Sequence, residues 1–126
     1  MANTKKITKA QIEKLAKEIR KFLLDRGMWI DTTIYFNGMA FSTDDRLGHY
    51  YYNDPDHLVV MDHKDPHRVT EYAGDILTMT FEGPLYEALN YGEPNWDVEE
   101  ELRQLFLKYG LYYELGHCWD LTACAL

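Results

Sequence analysis

Asn37-Gly38 stands between two runs rich in β-branched and aromatic residues, 28–36 and 39–42. A two-residue type I′ turn needs positive φ at both central positions, and asparagine followed by glycine adopts it most readily. The dipeptide therefore predicts an antiparallel hairpin. Short apolar runs follow at 50–52, 58–61 and 76–81, divided by Asp54-Pro55-Asp56 and by the turn-prone stretch 62–67. Strand succeeds strand with no helical period between them, which favours an antiparallel sheet over alternating βαβ units.

Helical periodicity lies on either side of this block. Thr8 is a good N-cap, Gln11 can complete a capping box, and Ile7 and Ile12 are spaced as a hydrophobic staple. Ile12, Leu15, Ala16, Ile19, Phe22 and Leu23 then form one apolar stripe, and Gly27 is placed to end the helix. Lys14, Lys17 and Lys21 fall on the opposite face. Gly83-Pro84 opens a short helix over 85–91, broken at 92–94. A second long helix is expected over 97–109, with Val98, Leu102, Leu105, Phe106 and Tyr109 inward and Gly110 at its end. Residues 111–115 and 118–123 read as strand, with a possible interruption at Gly116. The fold class predicted is α+β, one domain over residues 1–126. Its antiparallel sheet has about four to six strands, and the N-terminal amphipathic helix and the second long helix pack on one face.

Apolar residues make up 46% of the 126, enough for a core, and charged residues 27%. No run of eighteen apolar residues occurs, and the basic N-terminus has no apolar stretch behind it, so neither a membrane span nor a secretory leader is expected. Cys118 and Cys124, if on one extended strand, stand roughly 20 Å apart, where a disulfide tolerates about 7 Å. Both are read as reduced thiols of a cytoplasmic protein.

Charge is distributed unevenly. Residues 1–26 carry eight Lys/Arg against three Asp/Glu, while the remaining hundred carry five against eighteen, within a net charge of −8. An acidic body repels nucleic acid and membrane surfaces and attracts basic partners.

Familiar catalytic motifs are absent: no P-loop, GxGxxG, GxSxG, HExxH or CxxC is present. One stretch has the composition of a metal site, with His57, His63 and His67 among Asp54, Asp56, Asp62 and Asp65. Turn chemistry explains the same residues, with Pro55 and Pro66 marking the turns, so no metal or cofactor is expected. His117-Cys118 could suggest a nucleophile beside its base, but neighbours in a strand point to opposite faces unless Gly116 opens a bulge.

Two acidic sets remain. One is Glu93, Asp97, Glu99, Glu100 and Glu101, at the start of the second long helix, where acids also favour the helix dipole. The other is on the loops: Asp44, Asp45, Asp54, Asp56, Asp62 and Asp65, with Tyr51 among them. Joined across one face they would form an extended negative surface. Ten tyrosines, including Tyr50-Tyr51-Tyr52, supply contact area of the kind that interfaces use. The reading that leads is a non-enzymatic protein docking on a basic partner surface. Its sharp form is a nucleic-acid mimic that inhibits a nuclease or another DNA-binding protein, as anti-restriction and anti-CRISPR proteins do. Direct nucleic-acid binding is not expected. The alternatives are a small metal-dependent enzyme using the His/Asp loop and a structural subunit of a homo-oligomer.

Overall fold

The structure is a computed structural model that describes residues 6–91 and 96–126. Glu93 lies outside the described residues. Helix α1 (Lys9–Asp25) begins with the capping box that its sequence carries: Gln11 N donates to Thr8 Oγ1 and Thr8 N donates to Gln11 Oε1. It ends in a Schellman arrangement. Gly27 N donates to Leu24 O and Met28 N to Leu23 O, with Gly27 at φ +67°. Ile12, Leu15, Ala16, Ile19 and Leu23 are buried as the stripe requires. Phe22 is not; it packs at the margin of the core with the Arg26 guanidinium 3.7 Å above its ring.

Six strands follow: β1 (Thr32–Phe36), β2 (Met39–Ser42), β3 (Val59–Asp62), β4 (Leu77–Phe81), β5 (Leu111–Leu115) and β6 (Asp120–Ala125). They form one antiparallel sheet in the order β3-β2-β1-β4-β6-β5. The β1–β2 turn has Asn37 and Gly38 at φ +50° and +76°, as a type I′ hairpin demands. Helices α2 (Gly83–Tyr91) and α3 (Trp96–Leu107) connect β4 to β5. Side chains alternate across the strands. Ile34, Phe36, Phe41, Leu77, Met79, Phe81, Leu111, Leu121 and Ala123 join the helices in one core, which completes the predicted α+β architecture. Among the described residues no helix is long and apolar enough to cross a membrane.

The opposite face of the sheet is built differently. Thr33, Ser42, Thr78 and Asp120 are buried there although they are polar, and hydroxyls pair across strands, Thr33 with Ser42 and Thr78 with Thr122. The chain crosses this face between β3 and β4. Thr122 Oγ1 donates to Tyr72 O, and Gly74 lies so close that an added Cβ would come within 2.8 Å of Thr122. Threonine hydroxyls thus satisfy a backbone segment that an apolar face could not accommodate.

Three expected strands need correction. Residues 28–31 are not strand: Trp29 N donates to Asn53 Oδ1 and Asn53 N returns to Trp29 O, which ties this stretch to a loop, and Asp31 sits at φ +50°. Tyr50 forms an isolated bridge with Asp44, and residues 51–52 make no ladder, because the Asp-rich turns on either side bend the chain too sharply. His117 and Cys118 lie in the turn that joins β5 to β6, and β6 begins only at Asp120. Strand alternation therefore does not set the directions of those two side chains.

Candidate functional site

Segment 44–60 leaves the β2 end and returns as β3, and its shape is written by aspartates accepting from the backbone just ahead. Asp44 Oδ1 accepts from Arg46 N at 2.7 Å, Asp45 Oδ1 from Leu47 N at 2.7 Å, and Asp54 Oδ1 from Asp56 N at 2.9 Å. The free carboxylate oxygens are used as well: His49 Nδ1 lies 2.9 Å from Asp45 Oδ2 and His57 Nδ1 2.6 Å from Asp54 Oδ2. Partial burial acts to raise the Asp45 carboxyl, but the amides of Leu47 and His49 and the His49 ring outweigh it and hold it below the usual range. The Asp56 amide and the His57 ring do the same for Asp54.

Tyr51 is stacked between the two histidines, with centroids 6.5 Å from His49 and 5.2 Å from His57. Tyr50 and Tyr52 form a second pair 5.6 Å apart, and Tyr52 donates its hydroxyl to Asp31, which pushes the phenol up to about 12. Arg20 of α1 secures the loop by donating to Asp54 O at 3.0 Å. On this fixed frame the apolar side chains point outward: Leu47 is 80% exposed, Tyr50 58%, Val60 47%, Tyr52 41% and Leu58 37%.

Beside the loop, at the strand ends, a cleft of about 330 Å³ is lined by Asp31, Asp44 and Glu82, by the cation Arg46, and by hydroxyl residues such as Ser42 and Thr80. Asp44 belongs to both. Of the predicted loop set, Asp44, Asp45, Asp54 and Asp56, with Tyr51, share segment 44–60, whereas Asp62 ends β3 and Asp65 caps the turn Pro66–Arg68 at the other end of the strands.

The other predicted set does not join them. Asp97 is exposed at the start of α3, Glu99 pairs with Arg103 at 2.6 Å, Glu100 accepts from Gln104 at 2.9 Å, and Glu101 pairs with Arg26. Arg20 lies on α1, where it bonds the loop, and Arg26 is the residue that caps the helix, where it meets Glu101. The helix therefore meets the loop on one flank and α3 on another, and it stands as a cationic rib between the two acidic sets.

The histidine set is dispersed. His57 belongs to Asp54, His67 sits in the 3-10 turn Pro66–Arg68 capped by Asp65, and His63 occupies a turn at φ +56°. Among the described residues no three His, Cys, Asp or Glu side chains are arranged to hold a metal ion. His57 and His67 each find their carboxylate within three residues, in the turns that those aspartates shape.

A cluster that sequence reasoning missed surrounds His117. Its Nδ1 lies 2.7 Å from Asp120 Oδ2 and its Nε2 3.0 Å from Glu71 Oε1, with Trp119 stacked on the ring at 4.6 Å. Asp120 is buried and accepts also from the amides of Gly116 and His117. The bond to Asp120 is the main cause raising the His117 pKa; the Asp120 carboxyl is lowered, the His117 bonds outweighing its burial. Both ring nitrogens face carboxylates, so His117 has no site left to take a proton from Cys118. The spacing His-x-x-Asp in a turn was the available signal. Cys118 and Cys124 are both free thiols.

No family model matches this sequence, and no similar chain is found among the curated proteins or the solved structures.

Proposed function

We propose that this protein is a non-enzymatic binding module that docks segment 44–60 on a basic partner surface. One observation carries the reading: Leu47, Tyr50, Tyr52 and Leu58 of the loop and Val60 of β3 are exposed on the same segment as Asp44, Asp45, Asp54 and Asp56. Apolar tips supply contact area at low entropy cost, and the surrounding carboxylates select a positively charged partner and speed its approach. The adjoining acidic cleft extends the same charge. In the sharp form of the reading the partner is a nuclease or other DNA-binding protein, whose phosphate-tracking groove receives this face. The α3 glutamates have little part in it, because Arg26, Arg103 and Gln104 already engage them.

The test is affinity capture from lysate with the wild-type chain and with a Leu47→Ala, Tyr50→Ala, Asp56→Asn variant. These three side chains are exposed and make no turn-forming side-chain bond, so the fold should survive. Recovery of a basic protein by the wild type and its loss with the variant supports the reading. Equal recovery by both overturns it, and self-association alone assigns the face to contacts between copies.

A further inference from the structure

At the end of the sheet away from the acidic cleft lies a larger cavity, of about 520 Å³, between the β1–β2 turn and the crossing segment 64–76. That volume is in the range of small-molecule sites. Its apolar walls include Ile12, Pro66, Ile76 and Leu77.

Three polar groups there have no partner among the described residues. Tyr35 lines this cavity and is 5% exposed, and its hydroxyl has no hydrogen-bond partner among the described residues. Lys9 and Lys64 also line the cavity, and neither ammonium is in an ion pair. Two carboxylates are present as well. Asp65 is occupied by His67, accepting from its backbone N at 3.0 Å and lying 2.9 Å from its Nδ1. Asp75 is uncommitted.

A hydroxyl buried as deeply as that of Tyr35 is normally satisfied, and no group among the described residues satisfies it; Lys64 is half-buried beside it, while Lys9 and Asp75 are exposed. We propose that this cavity binds a small amphipathic organic anion that also carries a hydrogen-bond donor. Its charged head takes the Lys9 and Lys64 ammoniums and the Tyr35 hydroxyl, its apolar body rests on Ile12, Ile76 and Leu77, and its N–H or O–H donates to Asp75. An inorganic anion lacks the apolar body and the donor, and so fits only part of the site. The cavity is independent of the docking face, which occupies the other end of the strands.

Anilinonaphthalenesulfonate has all three features and is the probe. Its fluorescence should rise saturably with the native protein, to a single site. A Lys9→Gln, Lys64→Gln variant should bind it about tenfold more weakly, since each charged hydrogen bond lost is significant on that scale. Tyr35→Phe should weaken it by a factor of about three. A Lys14→Gln, Lys17→Gln control makes the same charge change on exposed α1 positions and should leave affinity within about twofold. Backbone amide shifts should centre on Gly38, Lys64, Gly74 and Leu77. No saturable binding, equal loss in the control and the test variant, or shifts confined to 44–60 would each overturn the proposal.

Discussion

His117 carries a carboxylate on each ring nitrogen, so its charge is part of how the turn before β6 holds the crossing segment through Glu71. The sign of the resulting pH dependence follows from the two shifts. The His117 pKa is raised, so its contribution is complete below the ordinary histidine value and is lost as pH rises through the folded value. The Asp120 pKa is lowered, so its contribution is present above the ordinary carboxylate value and is lost as pH falls through the folded one. Both groups are charged between about pH 4 and pH 6.5. The Tm difference between wild type and His117→Gln is expected to be largest there and to shrink on the alkaline side. A difference that stays flat from acid to alkaline conditions would show that the pair does not titrate with folding. Nothing in the periodicity of the sequence pointed to this residue, because its acidic partners are the first residue of β6 and a residue more than forty positions away.

Among the elements, α1 is the one whose role follows most directly from sequence. The stripe, the capping box and the C-terminal glycine all specify one helix with one buried face, and Leu15 is completely buried on it. Leu15→Ala should cost about 2–5 kcal/mol in denaturant unfolding. An unchanged midpoint would mean that the helix does not depend on the sheet. For α3 the expectation is the reverse. Replacing Glu99, Glu100 and Glu101 together by Gln removes exposed pairs to Arg103 and Arg26, each typically worth at most about 1 kcal/mol. Helix propensity changes little, so the far-UV spectrum should be unaltered and Tm slightly lower. A collapse of the fold would show that the Arg26–Glu101 contact is what docks α3 on α1.

For the molecule as a whole, net charge and shape act on any partner together. The −8 total is divided by the cationic rib of α1, leaving the 44–60 face as the acidic surface that also offers apolar contact. Association with a basic partner should slow steeply with added salt, since charges further apart than about 8 Å are screened at physiological ionic strength. The Glu99, Glu100, Glu101 triple change should alter that rate less than the Leu47, Tyr50, Asp56 one. If the order is reversed in kinetic binding measurements, α3 is the working surface and the loop is bystander structure.

The strand-rich middle, the Asn37-Gly38 hairpin, the two long helices and the acidic, tyrosine-rich character were determined by the sequence alone. Each follows from propensity, periodicity or composition over a few neighbouring residues. Tertiary structure decided what depends on residues far apart in the chain. Residues 28–31 have strand-forming side chains, yet Asn53 takes their backbone bonds. The two acidic sets looked like one surface until Arg20 and Arg26 placed α1 between them. The threonines of β4 and β6 read as ordinary strand formers, and only the crossing of Tyr72 and Gly74 over Thr78 and Thr122 shows what their hydroxyls bind. Local patterns specify elements because their physics is local; which face meets which, and which charge is already spent, is settled by long-range packing.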